Sequence, residues 1–455
     1  MTATALKRQL GAVTVGSVVV GNMLGSGIFF TPGELAAVAQ HTWQVYFVWV
    51  LCGLITLCGA LTLAELSSEF PDSGSTFHII RAGFGPFWSL LKIWMEMWVN
   101  GPGSVAGVAI VFGQFLAPLI GPSISPAMWG VAAILFFTVI NLLGIRWGGG
   151  MQVVLTVTKI TALLALVFGS FLLASPAPTI STIPTPENGL LHLFRVIGLG
   201  VAAVLFTYDG WIDVTHTAGE VKNPRRNLPL GLIGGVCGIL VLYVLVNYCY
   251  LRVVPLSEMK QSGTLAAAVV AQRTFGDSGQ KFLSGLMVIS IFGALGGLIM
   301  TLPRLFFAGA SQYLGAGSNF FFRGLSTVSK RTAVPYGAIL FCSALSILAL
   351  LVFQSFSRLV NFLVVPLQLC NILMVASVYR LRRKGAPHTG FRTLGYPVVP
   401  AVFILVMAVF LISAIVFNPK DTFIGIGLTC TGVPVYWWMK AKNKNKEQTL
   451  KQPLD

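Results

Sequence analysis

Apolar residues dominate long stretches of this chain, and short polar segments separate them. Several stretches carry no charged residue over roughly 20 positions, the length that an α-helix needs to cross the hydrocarbon core of a bilayer. The clearest are Thr42 to Ala64, Asn227 to Leu251, Phe282 to Pro303, Leu359 to Tyr379 and Thr422 to Met439. Because backbone polar groups inside lipid must be satisfied within the segment, these stretches predict membrane-spanning helices.

Extended to the whole chain, the same pattern predicts an all-α membrane protein with about twelve spans. Their approximate positions are 10–38, 43–67, 87–119, 127–144, 151–174, 190–218, 229–251, 280–308, 335–353, 358–379, 397–417 and 421–439. The segments between them are short, so no separate soluble domain is expected.

The composition agrees with a membrane location. Of the 455 residues, 55% are hydrophobic and 10% are charged, whereas an ordinary soluble domain has about 25% charged residues. A chain this poor in charge cannot cover several soluble domains with a charged surface. We therefore expect a multi-pass protein whose main solvent is the bilayer.

The positive charge is unevenly distributed between the span ends. The formal net charge is +16, which by itself would also suit a nucleic-acid-binding protein. The Lys and Arg residues concentrate at ends that alternate to one side, as in Lys222 to Arg226 and Arg380 to Arg392. The positive-inside rule makes that side cytoplasmic. Both termini, residues 1–9 and the basic tail 440–455, are then cytoplasmic and the protein lies in the inner (cell) membrane.

Residue types that carry covalent or metal chemistry form no recognisable site. All seven cysteines lie in predicted spans, so no disulfide framework is expected. The five histidines include no pair at metal-ligand spacing within one helix, and there is no nucleophile elbow or phosphate loop. The N-terminus shows no cleavable signal pattern. We expect no enzyme activity, no cofactor and no metal.

Two predicted spans are interrupted at corresponding places. Span 1 is interrupted from Gly21 to Gly27, and span 6 from Phe206 to Trp211. If spans 1–5 (10–174) and spans 6–10 (190–379) are two repeats, each break lies in the first helix of its repeat. An odd number of spans inverts the second copy, and spans 11 and 12 (397–439) are peripheral additions. Paired breaks of this kind indicate the midplane site of a transporter.

The first break is suited to both ends of an amino acid. Unwinding frees backbone N–H groups at the start of the outer half-helix for a carboxylate, and carbonyl groups at the end of the inner half-helix for an ammonium. The candidate binding residues are Asn22, Met23, Gly25, Ser26 and Gly27. The alternative is that Gly21 and Gly25 only form a small-residue packing face.

The second break contains an acid near mid-membrane, Asp209. An intramembrane carboxylate indicates a functional site by default, although Asp209 could instead cap a half-helix. Phe206 and Trp211 beside it are candidate binding or gating residues, with lipid-facing aromatics as the alternative.

Lys159 lies inside span 5. A snorkelling lysine is one interpretation, and an ammonium standing where a coupling cation would otherwise bind is the other. Lys92 and Glu96, four residues apart on one helical face, are expected to neutralise each other.

Four segments together resemble one family. GNMLGSGIFFTP (Gly21 to Pro32) resembles the first-helix signature of the amino acid–polyamine–organocation superfamily, and FTYDGWIDVTHTAGEVKNPRRNLP (Phe206 to Pro229) resembles its sixth-helix signature. TVTKITALLAL (Thr156 to Leu166) is similar to the fifth helix, and SIFGALGGLIMTLPRLFFAG (Ser290 to Gly309) to the eighth. The resemblance is closest to the L-type branch and the bacterial serine/threonine exchangers.

The resemblance implies two inverted five-helix repeats with broken helices 1 and 6. It implies that the substrate carboxylate meets the N–H groups of Gly25, Ser26 and Gly27, and that Phe206 closes over the site. The α-ammonium would meet the carbonyls of Met23, Phe206 and Asp209. Lys159, with Ser290, would occupy the place of a sodium ion in distant relatives, which implies sodium independence.

The implied function is secondary active, sodium-independent exchange of neutral L-amino acids by alternating access. The alternatives are a cationic amino acid or polyamine antiporter with Asp209 as the side-chain anion, proton-coupled amino acid uptake, and a sensor or channel. The chain departs from the L-type form, which has a second glycine at Asp209 and an asparagine at Ile212, so the substrate range stays open. The loop from Ala117 to Met128 lacks the cysteine that joins animal relatives to a glycoprotein, so no disulfide-linked heavy subunit is expected.

Overall fold

The computed structural model describes residues 6–121, 123–176, 196, 200–201, 203–314, 320–353, 356–385, 390–417 and 419–449. In this part of the chain the structure is helical, and the only extended pairing is an isolated parallel bridge between Leu10 and Val221. A π-helical turn, Glu96–Asn100, joins α5 to α6, and 3-10 helices cover Asp213–Glu220 and Gly263–Leu265. The helices are α1 (Ala12–Met23), α2 (Gly27–Val38), α3 (Thr42–Glu69), α4 (Ser75–Phe84), α5 (Pro86–Met95), α6 (Gly101–Ile120), α7 (Pro126–Leu142), α8 (Ile145–Leu173), α9 (Pro224–Val253), α10 (Leu256–Ser262), α11 (Ala266–Phe275), α12 (Asp277–Leu314), α13 (Phe320–Leu325), α14 (Tyr336–Phe353), α15 (Phe356–Arg383), α16 (Val398–Phe417), α17 (Pro419–Cys430) and α18 (Gly432–Thr449).

Within the described ranges, six helical segments are long and apolar enough to cross a membrane: α3, the continuous α5–α6 segment, α8, α9, α12 and α16. The pair α1 and α2, bent by 44° at its break, makes a seventh, and α7 and α14 are shorter apolar helices. These helices confirm the predicted all-α membrane architecture. The number twelve remains a prediction, because much of span 6 lies outside the described residues and span 12 is divided at Thr431 between α17 and α18.

The two broken helices run antiparallel to each other. Three contacts, taken in order along α1 and α2, establish the direction: the Leu10 N–H donates to the Glu220 carbonyl (2.9 Å), the Asn22 amide to Asp213 (3.0 Å), and the Thr31 and Thr207 hydroxyls share a hydrogen bond (2.8 Å). Residue numbers fall along the second helix as they rise along the first. Antiparallel first helices are what an inverted pair of repeats requires, and the limits of those repeats stay a prediction.

Small residues let α1 lie close to its neighbours. Gly16 of α1 faces Gly231 of α9, where an added Cβ would be 3.9 Å from the Gly231 Cα, and Gly235 meets the Val19 side chain. Such close approaches are typical of helix packing in lipid, because van der Waals contact replaces the hydrophobic drive. Helix α1, the first half of the first broken helix, therefore packs closely between α8 and α9.

The segment between α9 and α12 contains a short helix, α11. It buries one face, including Ala267, Val270 and Ala271, and the preceding turn places the Gly263 carbonyl directly against Gly33 of α2. The helix thus covers the far end of α2, away from the side of the membrane on which α1 begins. We call that latter side the α1 side.

Candidate substrate site

The first break occupies Leu24 to Ser26, between the end of α1 and the start of α2. The Gly25 N–H donates to the Met23 carbonyl (2.9 Å). The N–H groups of Ser26 and Gly27 have no hydrogen-bond acceptor in the described part of the chain. Free donors at a helix start favour an anion, so the break presents two of the three predicted amides to a ligand.

The glycines of this break have different structural roles. A Cβ at Gly21 would lie 2.6 Å from the Thr156 hydroxyl of α8, and one at Gly27 would lie 2.7 Å from the Thr207 hydroxyl. At Gly25 no atom comes within 4 Å. Gly21 is therefore a packing glycine, whereas Gly25 borders open space.

Lys159 hydrogen-bonds to the backbone of the first break without lining the cavity. Its side chain is fully buried, and its ammonium donates to the carbonyls of Gly21 (2.8 Å) and Leu24 (3.0 Å). The Ser290 hydroxyl reaches the carbonyls of Leu24 (2.8 Å) and Gly25 (3.1 Å). Lys159 is thus directed at backbone carbonyls and does not snorkel to an interface.

The second break lies beside the first. Residues 203–207 are helical, residues 208–210 form a turn, and the 3-10 helix Asp213–Glu220 follows. Gly210 has a φ of +101°, and a Cβ there would be about 3.0 Å from the Asn22 backbone. The Tyr243 hydroxyl from α9 bonds to the carbonyls of both breaks, Met23 (2.7 Å) and Thr207 (3.3 Å).

A cavity of about 210 Å³ lies between the two breaks. It is smaller than the roughly 300–1,000 Å³ of pockets for drug-sized ligands, so it suits a small solute. Its wall is apolar where α6 and α12 face it, through residues such as Val108, Ile291 and Leu298.

The cavity brings most of the predicted binding residues together. Those that line it are Asn22, Met23, Gly25, Ser26, Gly27, Phe206 and Asp209. Trp211 does not line it: its ring is buried edge-on against Phe403, 6.0 Å between centroids, and packs on Gly59. Lys159 and Ser290 lie behind the first break and not at the cavity wall.

The predicted neutralisation of Lys92 by Glu96 is confirmed, because the Lys92 ammonium donates to the Glu96 carboxylate. Both side chains are buried, and the amide of Asn100 donates to the other Glu96 oxygen (2.8 Å). Lys92, Glu96 and Asn100 all line the cavity, which the sequence did not predict. The π-helical turn, a feature frequent at functional sites, begins at Glu96.

Two further lining residues, Asp213 and His216, were also missed. Asp213 accepts from Asn22 and is near enough to Asp209, Glu96 and Lys92 for their charges to interact with it. The His216 side chain is 2% exposed, and neither ring nitrogen has a partner in the described part of the chain. The sequence did contain an indication of this site. Asp209, Asp213 and His216 fall within eight positions of one span, and three ionisable residues so close together are unusual in lipid.

Below this region, on the α1 side, the structure is closed. Glu220, at the end of the 3-10 helix, pairs with Arg304 of α12 (2.8 Å), and neither side chain is exposed. The Glu220 carbonyl also accepts from Leu10, and Lys222 donates to the Leu10 carbonyl (2.8 Å). The buried ion pair and the backbone hydrogen bonds of Leu10 with Glu220 and Lys222 therefore lie between the cavity and the α1 side.

A cavity with a few polar groups, placed between two broken, antiparallel helices inside an apolar bundle, is the organisation of a membrane carrier for a small solute. A sequence model of the family described as "Amino acid permease" matches residues 10–439. The chain belongs to the amino acid permease family.

Characterised proteins with similar sequences are carriers too. The chain is 28% identical to the serine/threonine exchanger SteT of Bacillus subtilis, over 96% of this chain and 98% of that protein. It is 28% identical to the large neutral amino acids transporter small subunit 2 of Mus musculus, covering 95% and 81%. The same identity holds for the b(0,+)-type amino acid transporter 1 of Homo sapiens, covering 90% and 83%.

Proposed function

We propose that this permease is a sodium-independent exchanger of neutral L-amino acids that works by alternating access. The observation that carries the proposal is the pair of breaks around one small cavity, with a buried ammonium already bound to the carbonyls of the first break. The names of two similar proteins, a serine/threonine exchanger and a large neutral amino acids transporter, support the reaction and the substrate class.

In this proposal the first break binds the substrate carboxylate. The free N–H groups of Ser26 and Gly27 start α2 and point its positive dipole end at the anion. Gly25, whose N–H is bound to Met23, contributes space instead. Ser26 and Gly27 both line the cavity.

The substrate ammonium lies between the two breaks. The Phe206 carbonyl accepts from the Asp209 N–H (3.2 Å) and has a second lone pair, whereas the Met23 carbonyl already accepts from both the Tyr243 hydroxyl and the Gly25 N–H. Phe206 and Asp209 both line the cavity. The carbonyls of these two residues can therefore receive an ammonium, and the Met23 carbonyl, predicted as a third acceptor, is already fully hydrogen-bonded. Phe206, 46% exposed, is the group that closes over it.

Sodium independence follows from the position of Lys159. Carbonyl oxygens released by a broken helix are the ligands that a coupling cation uses in transporters of this design. Here the ammonium of Lys159 and the hydroxyl of Ser290 converge on the Leu24 carbonyl. A fixed positive charge at that point leaves no electrostatic reason for a sodium ion.

We also propose a membrane topology for the protein. The α1 side is cytoplasmic, in agreement with the basic residues near Lys222 and Arg380, and both termini lie there in the inner membrane. The carrier consists of the repeats 10–174 and 190–379 with a peripheral segment 397–439, and it works without a disulfide-linked heavy subunit.

Counterflow in proteoliposomes tests the proposal. Vesicles containing the purified carrier and unlabelled serine should take up labelled serine at the same rate in sodium and in potassium buffers. Vesicles without internal amino acid should take up little. Uptake that requires sodium, or that ignores the internal amino acid, would contradict the proposal. Inhibition by arginine but not by serine or leucine would instead favour the cationic alternative.

A further inference from the structure

The cavity has a second polar region beyond the two breaks. Lys92, Glu96, Asp213 and His216 line it on the α1 side of the first break, and we call them the floor cluster. The contact of Asp213 with Asn22, two residues before the break, places Asp213 at that level. His216 follows Asp213 on the 3-10 helix, whose last residue, Glu220, closes the α1 side.

The hydrogen bonds within the floor cluster leave several polar groups unused. Lys92 is 3% exposed and its ammonium has three donors, of which the Glu96 carboxylate takes one. His216 is 2% exposed with both ring nitrogens unpartnered in the described residues, and the Asn22 side-chain oxygen is unpartnered as well. A buried polar group without a partner costs about 1–3 kcal/mol. Lys92 and His216 line the cavity, so a polar occupant there, water or a ligand group, can satisfy them. The Asn22 oxygen instead lies against Gly297 of α12.

The charges of the cluster restrict what that occupant can be. A side-chain carboxylate would lie among three acids that line the cavity, Asp209, Asp213 and Glu96. A side-chain ammonium or guanidinium would lie beside the buried Lys92 ammonium, which already occupies the Glu96 carboxylate. A hydroxyl or amide both donates and accepts without adding a charge. It is the group that satisfies donors and acceptors together.

We propose that the floor cluster is a side-chain subsite that selects neutral amino acids with a hydroxyl or amide group over apolar ones of the same shape. The inference rests on the proposed function, because it assumes that the amino acid head group occupies the two breaks. The physical reason is that an apolar side chain leaves the cluster unpaired. A site built to hydrogen-bond a substrate group discriminates strongly against the analogue that lacks it.

Isosteric substrate pairs test the subsite. Labelled threonine and valine have the same shape, as nearly do asparagine and leucine, and all four are measured separately by counterflow. In the unaltered carrier we expect the polar member of at least one pair to have a kcat/KM about tenfold or more above its apolar partner. If neither pair shows this preference, or if arginine is exchanged better than all four, the inference is wrong. If none of the four is exchanged at all, the proposed function itself fails.

Two variants locate the preference. His216→Phe keeps a flat ring but removes both nitrogens, and Lys92→Met combined with Glu96→Gln removes the ion pair without leaving a lone buried charge. Each should reduce the polar preference to within about threefold while apolar exchange continues. Asp277→Asn, at an exposed acid far along the chain, is the matched control and should preserve the preference. A preference that survives in whichever variants fold would place selectivity elsewhere and overturn the inference.

Discussion

In the proposed mechanism, the two breaks at the centre of this carrier bind the substrate with different parts of the polypeptide. The first break offers backbone groups, and its surrounding side chains, Lys159 and Ser290, serve to hold that backbone. The second break offers the carbonyls of Phe206 and Asp209 for the ammonium, and the 3-10 helix that follows it carries Asp213 and His216, which line the cavity. Every amino acid has the same head group, whereas side chains differ. The comparison therefore assigns the carboxylate to the first break, and it assigns the ammonium and part of the side-chain selectivity to the second break and the helix after it.

Among the substitutions that delete a hydrogen-bonding group, Lys159→Met should have the largest effect. The substitution removes two hydrogen bonds from an ammonium to carbonyls, each contributing roughly 1.5–3 kcal/mol. We expect counterflow to fall about 100-fold, with a much smaller loss of folded protein in the membrane. Thr158→Ala, at an exposed neighbour, is the control. Equal losses of transport and folded protein would make the lysine a purely structural residue.

Gly27→Val should abolish binding at the first break. Its Cβ would lie 2.7 Å from the Thr207 hydroxyl, so the two breaks would be pushed apart. A thermal-shift titration with serine should then show no stabilisation, since a bound ligand raises stability by mass action. Gly238→Ala, where no atom lies within 4 Å, should titrate normally. Retained stabilisation in the Gly27 variant would remove the carboxylate site from the first break.

Tyr243→Phe should have an intermediate effect on both breaks at once. It loses the hydrogen bonds to Met23 and Thr207, each contributing about 1 kcal/mol, and keeps the packed ring. We expect exchange to slow by roughly three- to tenfold. Tyr208→Phe is a matched control, because in the described part of the chain its hydroxyl bonds to the Trp49 carbonyl of α3 (3.2 Å) and to neither break. An equal slowing in both variants would show that Tyr243 does not couple the breaks.

Ser290→Ala should have the smallest effect. Its hydroxyl bonds to the carbonyls of Leu24 and Gly25, but the Leu24 carbonyl keeps its bond to Lys159. We expect about a two- to fivefold reduction in counterflow, consistent with roughly 0.5–1 kcal/mol. A loss as large as that of Lys159→Met would mean that the hydroxyl, and not the ammonium, organises the first break.

Much of the site was predictable from local sequence. Three glycines between Gly21 and Gly27 in an apolar span located the first break, and the Asp209-Gly210 pair located the second. Two interpretations of Lys159 were left open, and its ammonium lies on helix carbonyls, as the second of them expects. Each prediction works because lipid makes an irregular backbone or a charge costly, so that either one marks a site.

Other residues could not be assigned in this way. Trp211 follows the second break in sequence but packs away from the cavity on Phe403. Lys92 and Glu96 were expected to neutralise each other, and nothing in their spacing shows that they face the cavity. In both cases the direction of a side chain depends on how helices distant in sequence pack together.

The sequence by itself determined the solvent, the helical architecture, the places where two helices break and the residues that end up nearest those breaks. It could do so because the cost of exposing backbone or charge to lipid is local. Tertiary structure alone decided that the breaks run antiparallel around one cavity, that Glu220 meets Arg304 beneath it, and that Asp213 and His216 face it. Those facts depend on contacts between residues far apart in the chain, and helix packing sets them.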